Sequence, residues 1–207
     1  MARPREFDEE QVLTAARDAF WSKGFAGTSV SDLTEATGLG KGSLYGAFGD
    51  KEQLFTRVFG DYCTRACAVA DDQLAGPDDT AFARLGAYLR DMARQSAVAL
   101  DEAGNPRTLH SRDGCFLAKT TAELAGRDEA IAGRALETFR GLRERLTGIV
   151  AAAQRAGDFD ASIDAEAYAG MLLATLRGFE SLGKAGMTAA ELGAMGDVAA
   201  SMLPGAH

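Results

Sequence analysis

Three places in the chain hold residues whose types and spacing suit chemistry. The first is Phe25 to Leu54, FAGTSVSDLTEATGLGKGSLYGAFGDKEQL. Here small, hydroxylic and basic residues alternate with apolar ones in an order that suits holding a polyanion rather than making or breaking bonds. If Lys41 to Phe48 forms one short helix, Leu44 and Phe48, four apart, share an inward face. Lys41, Gly42, Ser43, Tyr45 and Gly46 then point outward, and small outward residues let a backbone approach a partner closely. Lys51 stands in the first turn of the following helix, where a lysine beside free backbone N–H groups can hold phosphate.

The second place is Cys115, in Ser111-Arg112-Asp113-Gly114-Cys115-Phe116-Leu117. With a helix starting near Asp113, its thiol stands in the first turn. The helix dipole and Arg112 would then lower its pKa and favour the thiolate. The alternative is a small buried residue beside Phe116. The third place is Cys63 and Cys67, four apart on one helix face. With Cys115 or His110 they could form a thiolate metal site. No second paired motif accompanies them, so packing is the better reading, and neither a metal nor a cofactor is expected. Cys115, His110 and Asp113 could be taken for a nucleophile, base and orienting group. They crowd into six residues with no oxyanion motif, so no enzyme is expected.

These residues need elements to position them, and helical periodicity runs through almost the whole chain. A helix over about 8–23 places Val12, Ala16, Ala19 and Phe20 on one face, with Gly24 as its stop. Val30–Thr37 follows, opened by a capping-box pattern of Ser29 and Asp32 and ended by Gly38. Lys41–Phe48 ends at Gly49, and Asp50 can cap a longer helix carrying Leu54, Phe55, Val58, Phe59 and Tyr62. Gly76-Pro77-Asp78-Asp79 reads as a turn into a helix with Phe82, Leu85, Leu89, Met92 and Leu100 inward. Residues 101–113 read as a loop, 114–124 as a short helix, 128–156 as a long one and 158–163 as a turn. A broad apolar face over Tyr168 to Leu182 and a capping box, Thr188 with Glu191, complete the pattern. The fold class is therefore all-α, with about nine helices.

Composition sets the outer limits. The 207 residues carry a net charge of −8, with 46% hydrophobic and 25% charged residues, as in an ordinary globular chain. Such an acidic chain does not coat nucleic acid by bulk attraction, nor does it favour an anionic membrane surface. The first 60 residues hold 7 basic and 9 acidic side chains, so any DNA face must rely on a few well-placed cations. No stretch approaches the ~18 apolar residues of a membrane span. Met1 to Glu10 lacks the apolar run of a signal peptide. With three cysteines, the simplest expectation is a cytoplasmic chain with reduced thiols.

Two short helices joined by Gly38-Leu39-Gly40 fit a helix-turn-helix, whose second helix lies in the DNA major groove. At these residues the chain resembles the TetR/AcrR family of transcriptional regulators. The resemblance rests on Thr28, Val30, Asp32, Leu33, Gly38, Leu39, Lys41, Gly42, Ser43, Leu44, Tyr45, Phe48, Lys51, Glu52 and Leu54, and at motif level spans residues ~7 to 62. It implies a helix-turn-helix DNA-binding domain over residues 1–50, a connecting helix over 51–76 and a larger ligand-binding and dimerisation domain over 77–207. Thr28 and Ser29 would contact phosphate. Lys41, Gly42, Ser43 and Tyr45 would approach bases and backbone, Lys51 would clamp a phosphate, and Arg3 and Arg5 could reach a minor groove. Gly46 and Gly40 depart from the family pattern, removing a usual phosphate contact and a serine cap.

The same resemblance implies a homodimer on a pseudopalindromic operator, released by a small-molecule effector or by modification of Cys115, with an adaptor or sensor of the same fold that lacks specific DNA binding as the alternative. Tyr168, Leu172, Leu176, Phe179 and Leu203 are the candidate dimerisation residues. Tyr88, Met92, Cys115, Phe116, Thr120, Phe139, Met171 and Thr175 are the candidate ligand-binding residues. The Gly114-Cys115-Phe116-Leu117 stretch resembles the electrophile-responsive branch of N-ethylmaleimide-type repressors, in which a cysteine here is reactive. The partners implied are double-stranded DNA, an effector and a second copy of the chain, with no membrane.

Overall fold

The computed structural model describes residues 7–97 and 114–206. Arg3, Arg5, Leu100, His110, Arg112, Asp113 and the loop expected over 101–113 lie outside the described residues. Nine helices are described: α1 Glu9–Gly27, α2 Val30–Thr37, α3 Lys41–Phe48, α4 Lys51–Leu74, α5 Ala81–Gln95, α6 Phe116–Leu124, α7 Glu129–Ala156, α8 Ala165–Lys184 and α9 Ala189–Ser201. A single 3-10 turn, Asp78–Thr80, precedes α5.

Side chains set most of the helix starts. Asp8, Ser29, Asp50, Asp128, Asp164 and Thr188 each accept backbone N–H bonds as N-caps, and each such cap stabilises its helix by about 1 kcal/mol. Both expected capping boxes are reciprocal. Asp32 N donates to Ser29 Oγ at 3.1 Å while Ser29 N donates to Asp32 Oδ2 at 2.7 Å. Thr188 and Glu191 repeat the pattern.

Two boundaries differ from the sequence reading. Gly24 does not end α1. It kinks it, at φ 76° and ψ 171°, and the chain stays helical to Gly27. α6 begins at Phe116, two residues later than expected, with Cys115 as its N-cap.

The Gly24 kink breaks the helical bonding of the residues after it and leaves amides that need acceptors. Glu123 of α6 supplies them, taking Phe25 N at 3.0 Å and Ala26 N at 2.7 Å. Lys119 of α6 donates to Trp21 O at 2.5 Å and Ser22 O at 2.7 Å. Trp21 Nε1 donates to Gly114 O at 2.8 Å. A helix roughly ninety residues downstream is thereby bonded to the end of α1.

The same joint is aromatic. Phe20 and Phe25 meet Phe55 edge-on at 5.0 and 4.9 Å, and Phe55 meets Phe116 at 6.0 Å. Leu33, Leu44, Phe48 and Phe59 complete this first core, which also takes in Ile131, Ala135 and Leu142 of α7. The second core joins α5, the later half of α7, α8 and α9 through Leu85, Leu89, Val150, Phe159 and Leu176. α5 and α9 cross so closely that a Cβ on Gly196 would lie 2.7 Å from the Ala93 Cβ. Hence α4, α6 and half of α7 pack with the N-terminal helices.

Candidate nucleic-acid interface and cavity

α3 is held from beneath and open above. Leu44 and Phe48 are buried in the first core, while Lys41, Gly42, Ser43 and Gly46 are exposed. A Cβ built on Gly42 or Gly46 would meet nothing within 4 Å. No described residue requires glycine there, and the result is a shallow outer face. Gly40 caps α3 without a side-chain bond, so the early amides of the helix receive no acceptor from their cap residue.

α2 is fixed by its capping box and by Lys23, whose ammonium donates to Asp32 Oδ1 at 2.5 Å. Lys23 first, then Ser29, hold the Asp32 carboxyl far below the ordinary carboxylate range. Lys51 Nζ lies 4.4 Å from the centre of the Phe25 ring, a cation–π contact that orients the ammonium. Tyr45 is half-buried, and its enclosed hydroxyl has no hydrogen-bond partner among the described residues. Burial first, then Glu52 and Asp50, push its phenol upward.

Thr28 requires a correction. It is fully buried, its hydroxyl donates to Gly24 O at 2.6 Å, and its amide turns back to Phe25 O. It ties the kink to α2 and has no group facing out. Arg57 is a cation the sequence reading missed. It is paired with Glu9 and lies 5.7 Å from the Phe48 ring centre.

A cavity of ≈ 300 Å³ opens among α1, α4, α5, α7, α8 and the start of α6. Of the candidate ligand residues, Tyr88, Met92 and Cys115 line it. The others are placed elsewhere. Phe116 and Thr120 are buried, and Phe139 packs against the first core. Met171 is 46% exposed, and Thr175 donates its hydroxyl to Met171 O on the same outer side of α8. A residue one step from the inward Leu172 and Leu176 turns about 100° away, which periodicity over a broad apolar face hides.

The cavity's polar end was not foreseen. Arg177 Nη1 lies 3.4 Å from Cys115 Sγ and Arg177 pairs with Glu180 at 2.9 Å. The Tyr62 hydroxyl is 3.7 Å from the same sulfur. The Arg-x-x-Glu spacing on α8 was visible as an i, i+3 pair, but only the fold turns it inward. The Cys115 expectation is therefore corrected. Burial and then Glu180 push its thiol up, against the pull of Arg177, so the thiolate is disfavoured. Burial also raises the carboxyl of Glu180 and raises Tyr62 well above a free phenol.

Cys63 and Cys67 line a groove of ≈ 360 Å³ between α4 and α7, beside Arg134 and Arg145. Burial pushes the Cys63 thiol up. Among the described residues no three His, Cys, Asp or Glu side chains come together as metal ligands. No described helix is long and apolar enough to cross a membrane.

The dimerisation candidates also need correcting. Leu172, Leu176, Phe179 and Leu203 are buried in the second core, and Tyr168 is half-buried against Phe159 at 5.1 Å. The large apolar residues left outside on these last helices are Met171, Met195, Val198 and Met202, the last two 56% and 71% exposed. Met195, Val198 and Met202 fall at i, i+3 and i+7, one stripe along α9 and its end.

Residues 12–58 match the family model for bacterial regulatory proteins of the tetR family, and residues 85–193 match the tetracyclin repressor-like C-terminal domain. The chain is 46% identical over 70 residues to the HTH-type transcriptional repressor BdcR of Escherichia coli, 33% of this chain and 36% of that protein. It is 30% identical over 146 residues to the repressor ComR of the same organism, 69% of this chain and 63% of that one. The chain thus matches less than two thirds of either repressor's length. Among solved structures, the TetR family regulator CifR, a cysteine mutant complexed with 26 bp double-strand operator DNA, superposes with a TM-score of 0.72. It shares 26% identity, over 98% of this chain and 100% of that one.

Proposed function

The chain belongs to the TetR family of bacterial regulatory proteins, and on that premise we propose that it is a homodimeric transcriptional repressor. α3 enters the major groove of a pseudopalindromic operator, and a small molecule in the cavity releases it. The observation that carries this reading is the outer face of α3. Lys41 and Ser43 stand beside two glycines that no internal contact requires, on a helix anchored by Leu44 and Phe48. Lys41 and Ser43 approach the bases, and Lys51 and Ser29 the backbone. Tyr45, half-buried on the same helix, approaches the DNA beside them. Gly42 and Gly46 admit the DNA edge closely.

The exposed stripe on α9, with Met171 of α8, is the surface we assign to the second copy. Desolvating it holds two α3 helices at a fixed separation, about one turn of DNA apart. The account of release rests on α6. Its N-cap, Cys115, forms part of the cavity wall, and its far end bonds the kink of α1 through Glu123. A ligand that favours one position of α6 favours one placement of α1 to α3.

Release by modification of Cys115 is a second route, favoured by Arg177 at 3.4 Å and opposed by the burial of the thiol. A Cys115→Ser variant separates the routes. If a small molecule releases both proteins from DNA, occupancy suffices. If only wild type responds, and only to alkylating or oxidising reagents, modification is the trigger. A gel-shift titration on the DNA upstream of this gene tests the DNA-binding reading. Saturable retardation that survives excess random DNA supports it, and equal competition by random DNA contradicts it.

A further inference from the structure

On the reading that the cavity is the effector site, we propose that it takes a small, largely apolar molecule ending in one carboxylate, seated on Arg177 at the Cys115 end. The charged residues of the cavity wall carry the argument. Among the described residues they are Arg17, Arg65, Arg177 and Glu180, three cations to one anion, in a chain whose acids exceed its bases by 30 to 22. Arg17 and Arg65 are paired with Asp18 and Glu10, neither of which belongs to the wall. Most of the remaining wall is apolar, with Ala66, Val69, Met92, Leu117 and Leu142, as suits a hydrocarbon body.

Arg177 is under-used as it stands. One nitrogen, Nη1, serves both Glu180 and Cys115. Its Nε is buried with no hydrogen-bond partner among the described residues. A guanidinium offers five N–H donors in a planar fork that matches a carboxylate. Charge-assisted bonds of that kind are about twice as strong as neutral ones. An ammonium ligand would instead meet Arg177 beside the one acid of the described wall, Glu180, which is ion-paired with that arginine although its Oε2 makes no hydrogen bond among the described residues.

A ligand carboxylate on Arg177 brings a second negative charge beside Glu180. Facing Glu180 are Arg177 on its own helix, Tyr62 of α4, Tyr88 of α5 and Cys115 at the start of α6. Among the described residues, Arg177 is the one cation facing it. Two carboxylates sharing one cation raise the proton affinity of the more buried one, and burial has already moved Glu180 in that direction. Glu180 therefore takes up a proton as the ligand binds, and binding tightens as pH falls toward 6.

The test uses the full chain and three probes of one shape: 2-naphthoate, 2-naphthamide and 2-naphthylmethylamine. Calorimetry between pH 8 and pH 6 reads affinity, and a gel shift in parallel reads operator release. The inference expects naphthoate to bind, more tightly at the lower pH, and the amine not to bind. Arg177→Gln should weaken naphthoate by about tenfold or more, the usual loss for one charged hydrogen-bond pair. Arg177→Lys should fall between, and Glu180→Gln should bind more tightly with no pH dependence. Melting each variant without ligand checks that it is folded. Equal binding of amide and carboxylate, or naphthoate binding unmoved by Arg177→Gln, overturns the carboxylate inference and leaves the effector reading intact. Arg177-dependent binding without operator release upholds the inference and overturns the effector reading. If none of the three binds, the inference falls.

Discussion

α3 and the cavity place their chemistry on opposite sides of a packed wall. α3 presents Lys41, Gly42 and Ser43 outward from helices whose interior is filled by Phe20, Leu44, Phe48 and Phe55. The cavity turns Arg177, Glu180, Tyr62 and Cys115 inward, with walls drawn from α1, α4, α5, α6, α7 and α8. A surface that fits a regular partner needs fixed spacing along one short stretch of chain. A cavity needs only that side chains from distant stretches converge. The contrast predicts that changes under α3 alter stability and DNA binding together, while changes on its outer face alter DNA binding alone.

The largest expected effect comes from Leu44→Ala, which removes the buried anchor of α3. Stability should fall by about 2–5 kcal/mol, read as a shift of the denaturation midpoint, and operator affinity should fall with it. A variant that keeps wild-type stability would show that α3 does not depend on the first core. Val198→Asp should come next. A charge in the exposed α9 stripe should convert a dimer into a monomer in sedimentation, with a loss of about 2 kcal/mol or more if this is a central contact. Unchanged mass would place the interface elsewhere.

Ser29→Ala removes one arm of the α2 capping box and should cost about 1 kcal/mol. The Ser29 hydroxyl is also one of the bonds that lower Asp32, so this variant should also lose part of the stability that the Asp32 carboxylate gives. A carboxyl held low in the folded state stabilises above its unfolded pKa, and that contribution disappears as pH falls. Acid titration of both proteins should show the difference narrowing at low pH. Glu180→Gln tests the cavity side with the opposite sign. Its carboxyl is raised in the folded state, so the folded chain binds the proton more tightly than the unfolded one. Wild type should gain stability as pH falls from neutral toward the ordinary glutamate range, and the Gln variant should lack that gain. Parallel melting curves would show that Glu180 is not held in a raised state.

The same contrast explains what could be read from sequence. Ser29, Asp32, Gly38, Leu44 and Phe48 act on neighbours within four residues or so, and the caps, turns and inward faces they imply are those of the structure. Periodicity over α8 showed which helix carries a broad apolar face. It could not separate Leu172 and Leu176, buried within the chain, from the outer Met171, because both kinds are apolar. Thr28 fits the family motif, yet its hydroxyl is spent on the Gly24 kink, a bend that the expected helix stop concealed. Cys115 looked activated on the assumption of a helix start near Asp113 and a nearby Arg112. The start at Phe116 and the burial beside Glu180 reverse the sign. Arg177 and Cys115 lie 62 positions apart, and no local pattern announces such a meeting.

The central claim is that the outer face of α3 reads DNA while its inner face only supports it. Footprinting wild type and Lys41→Ala on the DNA upstream of this gene, with a salt titration of affinity, tests it most directly. The account predicts two protected half-sites about one helical turn apart for wild type. For Lys41→Ala it predicts an unchanged melting temperature, an affinity lower by about 1–3 kcal/mol per half-site if the contact is to a base, and a shallower salt dependence if it is to phosphate. Equal protection by both proteins, or a Lys41→Ala loss that appears only with unfolding, would contradict it.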